Sequence, residues 1–131
     1  MGTVLFRILL VDDFAAWRQV VIAMLAMKRE LQVVGEASDG PEAVQKAAEL
    51  KPDLILLDIG LPTLNGIEAA RQIRKLVPEC KIIFLSQESS SEIIEEAMNV
   101  GASGYVVKSM AGHDLLTAVE SVLLGGTFVS D

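Results

Sequence analysis

Five polar residues stand directly after short apolar runs in this sequence: Asp12 and Asp13 after "RILLV", Asp58 after "LILL", Ser86 after "IIFL" and Lys108 after "GYVV". Three carboxylates, a hydroxyl and an ammonium are groups that phosphoryl transfer uses. Two adjacent carboxylates brought up to a third repel one another and raise their pKa values unless a cation intervenes. A hard divalent ion relieves that repulsion, and Mg2+ accepts one or two carboxylates together with a main-chain carbonyl and waters. The three acids and the lysine leave a charge of −2, which one Mg2+ neutralises. Such a site invites a phosphoryl group, its oxygens held by the metal, the Lys108 ammonium and the Ser86 hydroxyl. Asp58 is then a competent nucleophile, forming an acyl phosphate. Each residue also has a plainer reading: Asp12-Asp13 as a turn or helix N-cap, Asp58 as a loop cap, Ser86 as a turn residue and Lys108 as a surface cation. Their shared placement is what favours chemistry.

That placement has meaning only if the apolar runs are strands of one sheet. Runs at 7–11, 32–37, 54–57, 82–85 and 104–107 alternate with longer amphipathic stretches, the pattern of βα units feeding a parallel sheet covered on both faces. In open parallel sheets ligands sit beyond the carboxyl ends of the strands, near the point where strand order reverses. Four of the five expected strands end in a polar group there, and the second, ending near Ala37, does not. The first helix is expected over 14–28, with Trp17, Val21, Met24 and Met27 at helical spacing. The second covers 41–50, with Asp39 as cap and Pro41 in the first turn, and the third covers 66–77, stopping before Pro78. Ser89 and Glu92 are spaced as a capping box for the fourth, which ends near Gly101. The fifth spans 113–124, its apolar side formed by Leu115, Leu116, Val119, Val122 and Leu123, and halts at Gly125-Gly126. The expected order is (βα)5.

The totals narrow the function. A chain of 131 residues, 51% apolar, is one domain able to bury its own core. Eighteen acids against eleven bases give a net charge of −7, which opposes non-specific binding to a nucleic-acid backbone. The single cysteine, Cys80, rules out an intrachain disulfide, suits a reducing cytoplasm and is expected to be inert. The start, "MGTVLFRILLV", resembles a signal h-region, but Arg7 interrupts it and Asp12 and Asp13 end it. Phe6 sits where the myristoylation pattern has Ser or Thr, and no apolar stretch approaches a membrane span. The expectation is a cytoplasmic, unanchored protein.

"ILLVDD", "DLILLDIGLPTLNGIEAARQIRK", "IIFLS" and "GASGYVVKS" together resemble the receiver domain of two-component response regulators, over essentially the whole chain. The resemblance implies a flavodoxin-like, doubly wound sheet of five parallel strands in the order 2-1-3-4-5, with helices on both faces. It implies that Asp58 accepts a phosphoryl group from a partner histidine kinase. Asp13, Asp58 and the main-chain carbonyl of Gly60 would bind Mg2+, with Asp12 assisting through water. Ser86 and Lys108 would engage the phosphate, and Tyr105 would be the aromatic switch that turns inward when Ser86 moves. Pro62 and Gly66 match the loop after the phosphorylation site, Gly66 allowing a tight turn into helix three. The absence of proline after Lys108, and the ending "AVESVLLGGTFVS", resemble the NarL/FixJ (LuxR-type) branch, whose members usually continue into a helix-turn-helix DNA-binding domain. None is present, so residues 1–131 are read as a receiver whose output domain has been truncated, in preference to a stand-alone one. Output would pass through the surface of helix four, strand five and helix five, where Glu92, Glu95 and Glu96 lie, and dimerisation would use that face or one that includes helix one.

Two positions depart from the family pattern. Gln87 replaces the usual small residue after the switch hydroxyl and is expected to overhang the site and alter its kinetics. Phe14 stands where polar residues are common; it would either shield the site or pack, and packing is the expected role. His113, beside Asp114, is read as solvated or capping. Three other readings compete. A haloacid-dehalogenase-type enzyme would place a second acid two residues after the nucleophile, where Gly60 stands, so turnover on external substrates is not expected. A nucleotide- or flavin-binding module would need a glycine-rich phosphate loop where "DDFAAWR" stands. A degenerate receiver, acting as a phosphorylation-independent interaction module, is the alternative that Gln87 keeps open.

Overall fold

Leu54, Ile55, Leu56 and Leu57 are all fully buried, because the strand they form is covered on both faces. Alternate side chains of a strand point to opposite faces of a sheet, so Ile55 and Leu57 join Leu9, Val11, Ile82, Phe84 and Tyr105 on one side. Leu54 and Leu56 join Ile8, Leu10, Ile83, Leu85 and Val106 on the other. The structure, a computed structural model, describes residues 4–130; the first three residues of the apolar start and Asp131 lie outside the described residues.

The elements follow in the order β1 (Phe6–Val11), α1 (Ala15–Leu25), β2 (Leu31–Ala37), α2 (Gly40–Leu50), β3 (Leu54–Leu57), α3 (Gly66–Leu76), β4 (Lys81–Ser86), α4 (Ser91–Asn99) and β5 (Gly104–Val107). A 3-10 turn (Lys108–Met110), α5 (Ala111–Leu123) and β6 (Phe128–Val129) follow. Helices α2, α3 and α4 cover the first face through Ala43, Ala47, Ile67, Ala70, Ile73 and Ala97. Helices α1 and α5 cover the second through Val21, Leu25, Leu115, Ala118, Val119 and Val122. Among the described residues no helix is long and apolar enough to cross a membrane.

The flavodoxin-like parallel architecture is as expected, with one correction: among the described residues the sheet has six strands, in the order β2-β1-β3-β4-β5-β6. The sixth pairs Phe128 and Val129 with Gly104 and Tyr105, parallel to β5. It covers what a five-stranded sheet would leave as an open edge. Ser130 extends this attachment, its N–H donating to the Tyr105 carbonyl at 2.9 Å and its hydroxyl accepting from the Val107 N–H at 3.2 Å. The same hydroxyl donates to Asp114 Oδ2 at 2.9 Å.

Helix boundaries shift for local reasons. Asp39 caps α2 as expected, accepting from the Glu42 N–H at 2.8 Å. For α4 the cap is Ser90, which accepts from Ile93, and not Ser89. Helix α1 ends at Leu25, leaving Met27 outside it and 75% exposed. Helix α5 opens at Ala111 because the 3-10 turn already carries the chain round after β5. Gly101 has the positive φ expected of it, at 101°.

Candidate functional site

Strand pairing sets the site. Val11 pairs with Leu57, Leu57 with Phe84, and Ser86 with Val107, so the residues that follow β1, β3 and β5 emerge side by side next to the last residue of β4. The backbone of each acid is fixed at the strand ends: the Asp12 N–H donates to the Ala37 carbonyl at 3.0 Å and the Asp58 N–H to the Val11 carbonyl at 3.1 Å. Arg18, from α1, ties these ends together by pairing with Glu36 at 2.8 Å and donating to the Asp12 carbonyl.

Helix α3 approaches so closely that a Cβ on Gly66 would stand 2.0 Å from the Asp58 carbonyl oxygen. The expected reason for Gly66, a tight turn, is therefore corrected. Its φ is not positive, and glycine is required by the contact between backbones, with its N–H donating to the Ile59 carbonyl at 2.8 Å.

The side chains converge on Lys108. Its ammonium lies 2.7 Å from Asp12 Oδ2 and 3.3 Å from Asp58 Oδ2. Burial alone would push the lysine pKa down, and the bond to Asp12 with the two negative charges more than offsets it, so the pKa is raised. Asp12 is 2% exposed; burial raises its pKa despite Lys108 and the Phe14 N–H, which donates to its other oxygen at 2.8 Å. The second Asp58 oxygen accepts from the Ile59 N–H at 2.8 Å. Carboxylate oxygens of Asp12, Asp13 and Asp58 all lie within 4.8 Å of one another, a cluster able to hold a metal ion.

A cavity of about 160 Å³ opens over this cluster, floored by Asp58, Ser86 and Lys108 and walled by Asp13, Phe14, Gly60, Gln87 and Glu88. Asp12 lies behind it. Gln87 is exposed and stands in the wall, while Phe14 is 69% exposed at the rim. The expectation that Phe14 packs is thereby corrected: as N-cap of α1 it has extended backbone, and its side chain is left outside the core. Two larger hollows, one beside α3 and α4 and one between β1 and α5, contain none of the expected site residues.

Tyr105 is fully buried and its hydroxyl donates to the Glu88 carbonyl at 2.7 Å, while the Glu88 N–H donates to the Ser86 hydroxyl at 3.3 Å. Burial raises the phenol pKa, with Ser86 opposing the shift. Two contributors escaped the sequence reading. Glu88 joins Ser86 to Tyr105 through its main chain, for which residue type gives no signal. Trp17, expected only as a helix-face residue, lies with its ring centroid 5.5 Å from the Lys108 ammonium. Cys80 is fully buried, and burial pushes its thiol up to about 12, in keeping with an inert role. His113 is solvated, its side chain 85% exposed and 2.7 Å from Asp114 Oδ1.

Residues 8–120 match the family model described as the response regulator receiver domain. The chain belongs to the response regulator receiver family. Receivers are domains of the response regulators of two-component systems, and two curated relatives of this one are named transcriptional regulatory proteins. This receiver is 37% identical over 122 residues to the transcriptional regulatory protein LnrK of Bacillus subtilis, covering 93% of the chain and 56% of LnrK. It superposes on a LuxR-family two-component response regulator from Aurantimonas sp. SI85-9A1 with a TM-score of 0.91 and 35% identity, covering 95% of this chain and 89% of that one. It also superposes on a CheX-CheY-BeF3-Mg2+ complex from Borrelia burgdorferi with a TM-score of 0.82 and 25% identity, covering 91% and 90% of the two chains. The chain spans about half the length of the curated relatives it matches.

Proposed function

We propose that this receiver accepts a phosphoryl group on Asp58 from a sensor histidine kinase, in a reaction that requires Mg2+. The observation that carries the reading is the Lys108 ammonium, seated between Asp12 and Asp58 at the floor of a cavity into which Ser86 also opens. In the transfer, an Asp58 carboxylate oxygen bonds to phosphorus as the bond from phosphorus to the donor's imidazole nitrogen breaks, and the freed imidazole takes up a proton. Lys108 and the Ser86 hydroxyl then bind oxygens of the acyl phosphate, offsetting its charge where water is scarce.

The donor set fits a hard cation, because three carboxylates with oxygens within 4.8 Å lie beside Gly60 in one cavity. Asp13, Asp58 and the Gly60 carbonyl would hold Mg2+, with Asp12, which does not line the cavity, acting through water. The ion would supply charge neutralisation at the phosphoryl oxygens. That the Borrelia relative was solved with BeF3 and Mg2+ supports this reading.

Ser86 and Tyr105 form the switch. The inward Tyr105, held by the Glu88 carbonyl, is one of its two positions, and a Ser86 hydroxyl drawn toward the phosphoryl group would favour that position through the Glu88 N–H. The response is a change in the surface of α4, β5 and α5 that controls homodimerisation and, through a helix-turn-helix domain on a longer chain, transcription in the cytoplasm. Gln87, in the cavity wall, gates access. The deciding experiment is intact mass after incubation with acetyl phosphate and Mg2+. Wild type should gain one phosphoryl group and Asp58→Asn none. No gain in the wild type, and none in Gln87→Ala, would favour a receiver that acts by protein contact alone.

A further inference from the structure

Lysine is a compact charge on a flexible stem, and a lysine that is to meet a phosphoryl group must be kept in place until the group arrives. Two carboxylates bind the Lys108 ammonium. A third partner lies within reach of it. Trp17, on α1, packs against the core on the α5 side of the sheet, and the Lys108 ammonium stands 5.5 Å from the centroid of its ring, within the range at which the negative face of an aromatic ring attracts a cation.

The indole N–H of Trp17 is buried and has no hydrogen-bond partner. A buried tryptophan N–H normally finds one, and an unmet donor costs stability. Leucine, methionine or phenylalanine would fill this place without that cost, so filling space does not account for an indole here. Its aromatic face, the strongest of the natural side chains toward a cation, does.

We infer that Trp17 is a positioning residue for Lys108: its ring face, together with Asp12 and Asp58, holds the ammonium that is offered to the phosphoryl group. The inference rests on the reading of Lys108 as a phosphate-binding group. Trp17 itself touches no reacting atom in this scheme, and acts through the lysine.

The test compares wild type, Trp17→Phe and Trp17→Leu for the rate of phosphoryl gain from acetyl phosphate with Mg2+, with thermal melting to establish that each is folded. Phenylalanine keeps a π face and leucine does not. Loss of a partly exposed cation–π contact corresponds to about a two- to fivefold slowing for Trp17→Leu, with Trp17→Phe between it and wild type. If Trp17→Leu does not fold, Trp17→Met supplies the ringless variant. Equal rates in the ringless and phenylalanine variants, whether fast or slow, would overturn the inference while leaving Asp58 phosphorylation intact. Failure of wild type to gain a phosphoryl group would overturn both. A second readout does not depend on phosphorylation: Trp17 is the only tryptophan, so Lys108→Met should change its fluorescence emission. Unchanged emission would mean that the ring and the cation do not meet in solution.

Discussion

Asp12 and Asp58 occupy equivalent places past paired strand ends, yet they meet different surroundings. Asp12 lies behind the cavity, with one oxygen on the Phe14 N–H and the other on Lys108. Burial raises its pKa above the ordinary 3.8 even so, which means that the folded chain binds this proton more tightly than the unfolded chain. The contribution of Asp12 to stability is therefore complete below 3.8 and is lost as pH rises through the raised folded value. Asparagine has no proton to lose there. Asp12→Asn should accordingly flatten the fall in stability across that interval, seen as urea midpoints measured at a series of pH values. A variant whose midpoints fall as steeply as those of wild type would assign the loss to another group. The place of Asp12 and Asp13 after β1 was legible from the residues, whereas their division of labour came only from the family resemblance. Which of two adjacent acids turns inward depends on the register of β1 with its neighbours.

At the scale of elements, the loop from Asp58 to Gly66 is held by the approach of α3. Gly66→Ala would press a methyl group onto the Asp58 carbonyl, 2.0 Å away, and overpacking of this kind costs about 1–3 kcal/mol. It should lower the melting temperature and slow phosphorylation together, because the displaced atoms belong to Asp58 itself. Gly60→Ala is the control, since a Cβ there meets nothing within 4 Å and melting should barely change. Equal melting temperatures for the two variants would mean that the backbone relaxes around Gly66. The strands β3 and β5 and the cap of α2 were legible because apolar runs and a lone Asp before proline leave few alternatives. Among the three consecutive serines at the start of α4, any could cap, and only the turn geometry selects Ser90. β6 was not legible at all. Two residues carry no periodicity, and what makes them a strand is the edge of β5 beside them. The contact of Trp17 with Lys108 was hidden for the same reason: it joins α1 to the end of β5 through space, while the sequence gives only a helical spacing.

For the whole molecule, a net charge of −7 gathers part of its self-repulsion where Asp12, Asp13 and Asp58 meet. A cation that binds the folded cluster and not the unfolded chain must stabilise the fold. At ten times its dissociation constant, Mg2+ would add about 1.4 kcal/mol, or roughly 3–6 °C in melting temperature for a domain of this size. Asp58→Asn should reduce that rise, and Na+ at equal ionic strength should not reproduce it. A melting temperature indifferent to Mg2+ would remove the cation from the cluster and with it the proposed mode of phosphoryl transfer.

The position of Ser130 bears on how the protein can be handled. The chain leaves the sheet beside Tyr105 and Val107, at the rim that also carries Lys108, whereas it enters β1 at the opposite rim. An affinity handle or a fluorescent reporter fused behind the chain would begin next to the strand whose tyrosine is proposed to switch. The same fusion placed ahead of β1 would stand clear of it. Kinetics measured on the two fusions should therefore differ, and the amino-terminal one should match the untagged protein.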